Sequence, residues 1–465
     1  MSNLLLNTDS YKLSHFRQYP PDTTRVNAYI ESRGGRFPET VFFGLQAFVK
    51  EYLLRPITAA DVEEYLAFAP AHGLPVNEAD ARYLLDVHGG YLPLHIEAAP
   101  EGSVIPTGNV LVQVMNTDPR LFWLTTYIET ALLRAIWYPS TVATLSRTAK
   151  VIIERALRRS SDDPAGQLPF KLHDFGARGA SSEETAALGG MAHLVNFMGS
   201  DTISGILAAR RYYGAAMAGF SIPASEHSTI TAWGRDGEAA AYTNLLSQFG
   251  RPGGLLACVS DSYDLMHAVG ALWGSELREQ VKTMGGTLVV RPDSGDPVTT
   301  PIATIELLMD RFGYTTNQKG YRVLPDYLRV IQGDGMNLDT IEQLLTTLLD
   351  RGIAADNIAF GMGAGLLQQV DRDTGRFAMK ASAIEVNGVW RDIQKDPATD
   401  PSKRSKAGRL ALVHECGLGS CGYRTLRAEE AAHQPTAQSV LRTVYQDGQL
   451  LADDSFDTIR ERAAL

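Results

Sequence analysis

Between residues 171 and 382 the chain repeats one pattern: a short apolar run, a polar or glycine-rich loop, then a stretch of helical spacing. The runs are Lys171-Leu172-His173-Asp174, Leu194-Val195-Asn196-Phe197, Gly219-Phe220-Ser221-Ile222, Ala257-Cys258-Val259-Ser260, Leu288-Val289-Val290, Leu328-Arg329-Val330-Ile331 and Ile358-Ala359-Phe360. The distance between them is what one strand and its crossover helix require. Seven such units, with an eighth candidate strand near Ala378 to Ser382, predict a closed or nearly closed parallel barrel. A doubly wound open sheet is the alternative, because periodicity does not reveal closure. Both architectures put ligands at the C-terminal ends of the strands, so the loops after the runs are where chemistry is expected.

Outside this region the pattern becomes antiparallel. Asp9-Ser10 is placed to cap a short helical turn carrying Tyr11, Lys12 and His15. Alternating apolar sets at Val26, Ala28 and Ile30, at Leu92, Leu94 and Ile96, and at Val110, Val112 and Val114 predict half-buried strands. Leu121 to Trp137 and Val142 to Leu157 have helical spacing, and Ser161 to Gln167 reads as a linker. Near the C-terminus, Asn387-Gly388 and Asp447-Gly448 predict two hairpins. An α/β barrel-like domain over residues 168–382 is therefore expected, inserted in a discontinuous α+β domain of residues 1–160 and 383–465.

A formal charge of −10 argues against broad nucleic-acid or anionic-membrane binding, so an anion site must be built from a few converging cations. The three cysteines, Cys258, Cys416 and Cys421, form no cluster of zinc spacing and read as reduced thiols. No basic, apolar leader and no membrane-length apolar run is evident, so a cytoplasmic location is expected.

The sharpest strand end is Thr287 to Pro297, an apolar run that stops at Arg291, Asp293 and Asp296. Burying such charges unpaired is costly, so they either pair with one another or face a ligand. The other loops supply Phe175, Arg178, Asp201, Glu226-His227, Asp261, Gly333-Asp334 and Gly361-Met362-Gly363-Ala364-Gly365. The last loop precedes an expected helix start at Leu366, so its N–H groups could cradle a phosphate, or the glycines serve turn geometry alone. Arg178 stands before Ser181 and Glu184, which have capping-box spacing. Asp201 either caps a helix beginning at Thr202 or faces a ligand. Arginines, carboxylates, glycines and one aromatic ring suit transfer of a ribosyl phosphate from a pyrophosphate-bearing sugar.

The residues also resemble a known family, the nicotinamide phosphoribosyltransferases among the type II phosphoribosyltransferases. The resemblance rests on Thr8-Asp9-Ser10-Tyr11-Lys12, Gln18-Tyr19-Pro20-Pro21, His173-Asp174-Phe175-Gly176 with Arg178-Gly179, and His193-Leu194-Val195-Asn196-Phe197 with Gly199 and Asp201-Thr202. It rests further on Glu226-His227-Ser228-Thr229-Ile230-Thr231-Ala232-Trp233-Gly234, Ser260-Asp261-Ser262-Tyr263-Asp264, Arg291-Pro292-Asp293-Ser294-Gly295, and Lys403-Arg404-Ser405-Lys406 with Gly408-Arg409-Leu410.

The resemblance implies that nicotinamide and 5-phosphoribosyl-1-pyrophosphate give nicotinamide mononucleotide and pyrophosphate, in NAD salvage, at sites shared across a homodimer. It matches Phe175 to a ring stacking on the pyridine, and Tyr11 to one supplied to the other face by the partner. Asp201 matches the carboxylate accepting from the substrate amide, Arg178 a residue near the amide oxygen, Arg291 one near the ribose phosphate, and Asp293 a ribose-side carboxylate. Gly333, Asp334 and Gly363 match ribose and phosphate contacts, and Asp261 is a candidate for the Mg²⁺-pyrophosphate. Arg372 matches a phosphate-binding arginine, and Arg33, Lys380 and Lys395 resemble residues holding pyrophosphate or ATP phosphates. His227 matches a histidine phosphorylated by ATP, an optional co-substrate; Mg²⁺ would be held through pyrophosphate and water. Ala177 and Met198 stand where relatives carry Tyr and Lys, and Ala364 also departs from the pattern. Two rival readings are a nicotinate phosphoribosyltransferase, disfavoured by Asp201 because carboxylates facing each other repel, and a non-catalytic binding or regulatory protein on the same fold.

Overall fold

The computed structural model describes residues 3–399, 404–417, 420–434 and 438–464. Lys403 and the side chains of Cys416 and Cys421 lie outside the described residues. The chain divides into two compact units, one of Met1–Thr144, Ala209–Ala215 and Asp371–Leu465, the other of Leu145–Ala208 and Ala216–Val370. The first division falls inside the long helix Glu129–Ser160 rather than at Ser161 to Gln167. That polar stretch is tied down: Ser161 Oγ donates to Asp356 at 2.8 Å, and Asp163 caps the helical turn Pro164–Gln167. No described helix is long and apolar enough to cross a membrane.

The first unit holds a seven-stranded antiparallel sheet in the order Val389–Asp392, Phe377–Val386, Thr23–Ser32, Val110–Asn116, Leu94–Ala98, Arg442–Gln446, Gln449–Leu450. The C-terminal strands thus rejoin the N-terminal ones. Both hairpins form on the expected dipeptides, with positive φ at Asn387 (53°) and Gly388 (74°) and at Asp447 (49°) and Gly448 (89°), the backbone a two-residue type I′ turn needs. Phe377–Val386 pairs with Thr23–Ser32, so the stretch Ala378 to Ser382 is no eighth barrel strand. Its mixture of buried and half-buried positions suits a sheet with one covered face, whereas a barrel strand is covered on both. At the N-terminus Ser10–Arg17 is a short 3₁₀ helix, but the Asp9 side chain does not cap it; the Asp9 N–H donates to Thr130 Oγ1, and that hydroxyl donates to the Asp9 carboxylate.

The second unit is built on six parallel strands: β1 (Leu172–Asp174), β2 (Gly199–Ser200), β3 (Leu255–Val259), β4 (Thr287–Arg291), β5 (Leu328–Gln332) and β6 (Ile358–Met362). Their spatial order is β2-β1-β6-β5-β4-β3, which is sequence order read around a ring. A doubly wound sheet would reverse direction partway, and this one does not. The expected strand at Gly219 to Ile222 is irregular, yet it spans the gap: Ser200 N–H donates to Phe220 O at 3.0 Å, and Ala257 N–H to Pro223 O at 2.8 Å. The run Leu194 to Phe197 is not a strand but the turn after helix Glu183–His193, and the strand follows at Gly199–Ser200. Gly199 is required there, because a Cβ would lie 2.6 Å from His173 Nδ1 on β1. Ala257, Val289 and Ile331 fill the barrel interior, with Ile222, Ala359 and Phe175 packed against them. Phe175 is thus part core and part floor at the C-terminal end of the strands, and the site grows from it.

Candidate active site

The Arg291 side chain organises the strand-end loops. Its Nη2 donates to Asp293 Oδ1 at 2.6 Å and its Nε to the same oxygen at 3.1 Å, while its guanidinium lies 5.6 Å from the Phe175 ring centroid. One cation therefore joins an aromatic surface to a carboxylate. Asp296, grouped with these residues by sequence, serves the backbone instead. It accepts from Val298 and Thr299 N–H at the start of helix Thr299–Phe312, and those bonds lower its pKa.

His227 begins the short helix His227–Thr231, whose N-cap is Glu226. Its Nε2 donates to Asp261 Oδ1 at 3.0 Å, and its Nδ1 stands 3.9 Å from Asp293 Oδ2. The Asp261 side chain is 4% exposed and the His227 ring 48%, so a buried carboxylate steadies an open imidazole. Asp261 Oδ2 accepts from Ser294 Oγ at 2.5 Å and from Asp293 N–H at 3.2 Å. With Nε2 as the donor, Nδ1 is the nitrogen left with a lone pair. Arg178, Glu226, His227, Ser228, Val259, Arg291 and Asp293 line one cavity of about 210 Å³.

The Phe175 ring rests against backbone. A Cβ at Gly361 would come within 2.0 Å of its Cε2, and one at Gly333 within 3.2 Å. Only glycine at 361 lets the ring lie flat on β6. Asp201 is exposed beside this floor; its N–H donates to Asp174 O at 2.9 Å, and its Oδ1 accepts from Ser221 Oγ at 2.5 Å. The helix that Asp201 was a candidate to cap begins at Ile203 rather than Thr202, and the Thr202 N–H donates to Ser200 Oγ at 3.0 Å. Arg178 is likewise exposed, and the cap of the next helix is Ser182, one residue beyond the expected Ser181. Gly363 precedes a single helical turn, Ala364–Leu367, and Asp334 is exposed after β5, its carbonyl accepting from Gln332 Nε2. Among the described residues no group of three His, Cys, Asp or Glu side chains comes together to hold a metal ion.

The remaining candidates belong to the antiparallel unit. Tyr11 is 58% exposed. Arg33 Nε donates to Glu31 at 2.8 Å, and Arg372 pairs with its neighbour Asp373. The pKa of Lys380 is lowered, first by burial and then by Arg33, Lys395 and Arg372, against the opposing pull of Glu129. Four cations predicted to hold phosphates thus share one neighbourhood of that unit.

Two family models match. Residues 170–449 fit the nicotinate phosphoribosyltransferase (NAPRTase) family, and residues 3–96 the N-terminal domain of nicotinamide phosphoribosyltransferase. The chain is 52% identical over 464 residues to a nicotinamide phosphoribosyltransferase of Xanthomonas campestris pv. campestris, covering 100% of this chain and 98% of the relative. It belongs to the nicotinamide phosphoribosyltransferase family. A second member, from Acinetobacter baylyi, is 32% identical, with coverage of 98% and 96%. A crystal structure titled nicotinate-nucleotide pyrophosphorylase from Pyrococcus furiosus shares the fold, with TM-score 0.62, 17% identity, and coverage of 99% of this chain and 95% of that one.

Within this family member, three residues that the sequence placed in motifs or loops take roles it did not assign to them. Ser294 anchors Asp261, Gly361 makes room for Phe175, and Asp174 holds the turn after β1. Gly361 carried a readable signal, a glycine inside an apolar strand, which marks close approach of another group. Asp174 and Ser294 carried none beyond adjacency to Phe175 and Asp293.

Proposed function

We propose that this chain transfers the 5-phosphoribosyl group from 5-phosphoribosyl-1-pyrophosphate to the ring nitrogen of nicotinamide, releasing pyrophosphate, as a step of NAD salvage. The observation that carries the reading is the continuous arrangement Phe175–Arg291–Asp293 at the strand ends: a stacking surface, a cation over it, and a carboxylate hydrogen-bonded to that cation. Nicotinamide lies on Phe175 with its amide toward Asp201 and Arg178. Cleavage of the C1–O bond builds positive charge on the ribose and negative charge on the pyrophosphate. Asp293 stabilises the first, and the arginines and lysines the second. Mg²⁺ arrives with the pyrophosphate as part of the substrate, and the paired state of Asp261 and Asp293 supports contact through water rather than direct ligation.

ATP enters through His227. The free Nδ1 lone pair attacks the γ-phosphorus, a P–N bond forms as the bond to the ADP oxygen breaks, and Asp261 stabilises the ring as charge develops. The phosphorylated ring adds negative charge at the mouth of the cavity and helps order the sugar substrate with its Mg²⁺. Two copies of the chain share the sites, Tyr11 of one covering the base on Phe175 of the other.

Two variants test this reading. Asp201→Asn removes the charged acceptor, so the ratio of kcat/KM for nicotinamide to that for nicotinate falls; an unchanged ratio removes Asp201 from base recognition. His227→Ala abolishes acid-labile phosphate incorporation from γ-labelled ATP, and ATP stimulation with it, while basal synthesis stays measurable. Stimulation that survives in this variant refutes the phosphohistidine.

A further inference from the structure

We propose that Asp174 is a positioning residue for base selection: its buried carboxylate closes the turn that carries Phe175, its main-chain carbonyl holds the Asp201 N–H, and its charge adds to the field that rejects a carboxylate base. The inference rests on the reading above that Phe175 and Asp201 receive the base.

Asp174 ends β1 and is 0% exposed. Its Oδ1 accepts from Gly176 N–H at 2.7 Å, closing a turn around Phe175, and its carbonyl accepts from Asp201 N–H at 2.9 Å. Phe175 N–H donates across to Met362 O on β6 at 3.0 Å. The stacking ring and the amide acceptor come from loops 26 residues apart by number (201 − 175), yet both are referenced to this one residue. Gly176 completes the fit, because a Cβ there would lie 2.5 Å from the Leu367 side chain and 3.0 Å from Asp174 Oδ1.

Asp174 Oδ2 does nothing for the turn. It is buried with no hydrogen-bond partner, facing helix Glu183–His193 at Gly190, where an added Cβ would approach it to 3.2 Å. The buried Thr202 hydroxyl stands beside it, short of a full hydrogen bond but near enough to lower the carboxyl's pKa. Holding the Gly176 N–H needs a single acceptor, which Asn would supply without an ionisable group at this depth. What the carboxyl adds is charge.

The charged group that acts on Asp174 is Asp201. On the facing helix the nearest side is Gly190, and His193 is held by Ser146 Oγ; the adjoining His173 ring points to Phe170 O and senses Asp201. Burial pushes the Asp174 carboxyl up to about 6, with a smaller push from the charge of Asp201, against the Gly176 N–H and the Thr202 hydroxyl, which lower it. Across neutral pH the base thus meets two carboxylates in depth. A carboxamide tolerates this field and hydrogen-bonds to its outer member, whereas nicotinate brings a third like charge.

The test compares wild type with Asp174→Asn and Asp201→Asn, reading kcat/KM for nicotinamide and nicotinate from pH 5.5 to 8. Titration of the shared sugar substrate cancels in the ratio of the two bases. The wild-type ratio rises as pH passes through about 6. Asp174→Asn flattens that rise and lowers the ratio at pH 8 about 3- to 10-fold, the size of a screened charge interaction, through KM rather than kcat. Its melting temperature stays close to wild type because the Gly176 acceptor is kept. An unchanged ratio and pH profile in Asp174→Asn, beside a changed ratio in Asp201→Asn, makes Asp174 a purely structural residue and overturns the proposal. An unchanged ratio in Asp201→Asn instead removes the base-site reading itself and the inference with it.

Discussion

The two units treat charge in opposite ways. At the strand ends of the barrel every central carboxylate has a partner: Asp293 takes Arg291, and Asp261 takes His227, Ser294 and the Asp293 N–H. In the antiparallel unit the pKa of Lys380 is lowered first by burial and then by the like charges of Arg33, Lys395 and Arg372, against Glu129, although Arg33 and Arg372 each keep a carboxylate partner in Glu31 and Asp373. A paired array keeps its geometry without a ligand and is pre-organised for a transition state. A lysine held among cations, as Lys380 is, is less stable empty and gains from an anion, so that region contributes mainly to binding. The contrast assigns kcat effects to the first region and KM effects to the second.

The largest break comes from Asp293→Ala, which frees Arg291 and leaves ribose charge uncompensated; kcat falls on the order of 10²–10³-fold, with a smaller change in KM. Arg33→Ala or Lys380→Ala instead raises KM for the sugar substrate roughly 10- to 100-fold at near-constant kcat, the loss of one charge-assisted contact. A dominant kcat effect there would erase the distinction between the regions.

Stability sharpens the comparison further. Because the folded-state pKa of Lys380 is lowered, its neutral form is favoured by the fold. The group's contribution is then fully present above the unfolded pKa and lost as pH falls through the folded one. Lys380→Met therefore removes that slope and, at pH 7, raises stability by about 0.5–1 kcal/mol, measured by denaturant unfolding with and without pyrophosphate. Asp293→Ala moves stability the other way by a similar amount, since it strands a half-buried guanidinium.

The smallest expected effect is that of Tyr11→Ala. Loss of one stacking face worth roughly 0.5–1.5 kcal/mol raises KM for nicotinamide about 2- to 12-fold. If two copies share their sites, as proposed, mixing it with Asp293→Ala under subunit exchange regains activity at low nicotinamide to about a quarter of wild type, since about half the dimers would be mixed and each would hold one intact site of two. No regain despite demonstrated exchange would place both residues in one chain's site.

Much of this was legible because it depends on local rules. Asn387-Gly388 and Asp447-Gly448 dictate their turns from backbone preference alone. The strands ending at Asp174 and Arg291, and the one over Ile358–Met362 whose run was read only to Phe360, were readable because an apolar run meeting charge or glycine has few other solutions. The errors share one cause, which is that a short apolar run does not state its neighbours. Leu194 to Phe197 trails a helix, while Gly199–Ser200, poor in strand propensity, pairs with β1 because glycine alone clears His173. Ala378 to Ser382 has the composition of a barrel strand and pairs instead with Thr23–Ser32. The Asp261–Ser294 and Asp174–Gly176 contacts are set by loop geometry, which residue types do not encode singly.

The most direct measurement is product formation by the purified chain given 5-phosphoribosyl-1-pyrophosphate, Mg²⁺ and equal nicotinamide and nicotinate, with and without ATP, separated by chromatography. The account predicts nicotinamide mononucleotide as the dominant product in both conditions, formed faster with ATP. Nicotinate mononucleotide as the dominant product, or neither nucleotide, would contradict it.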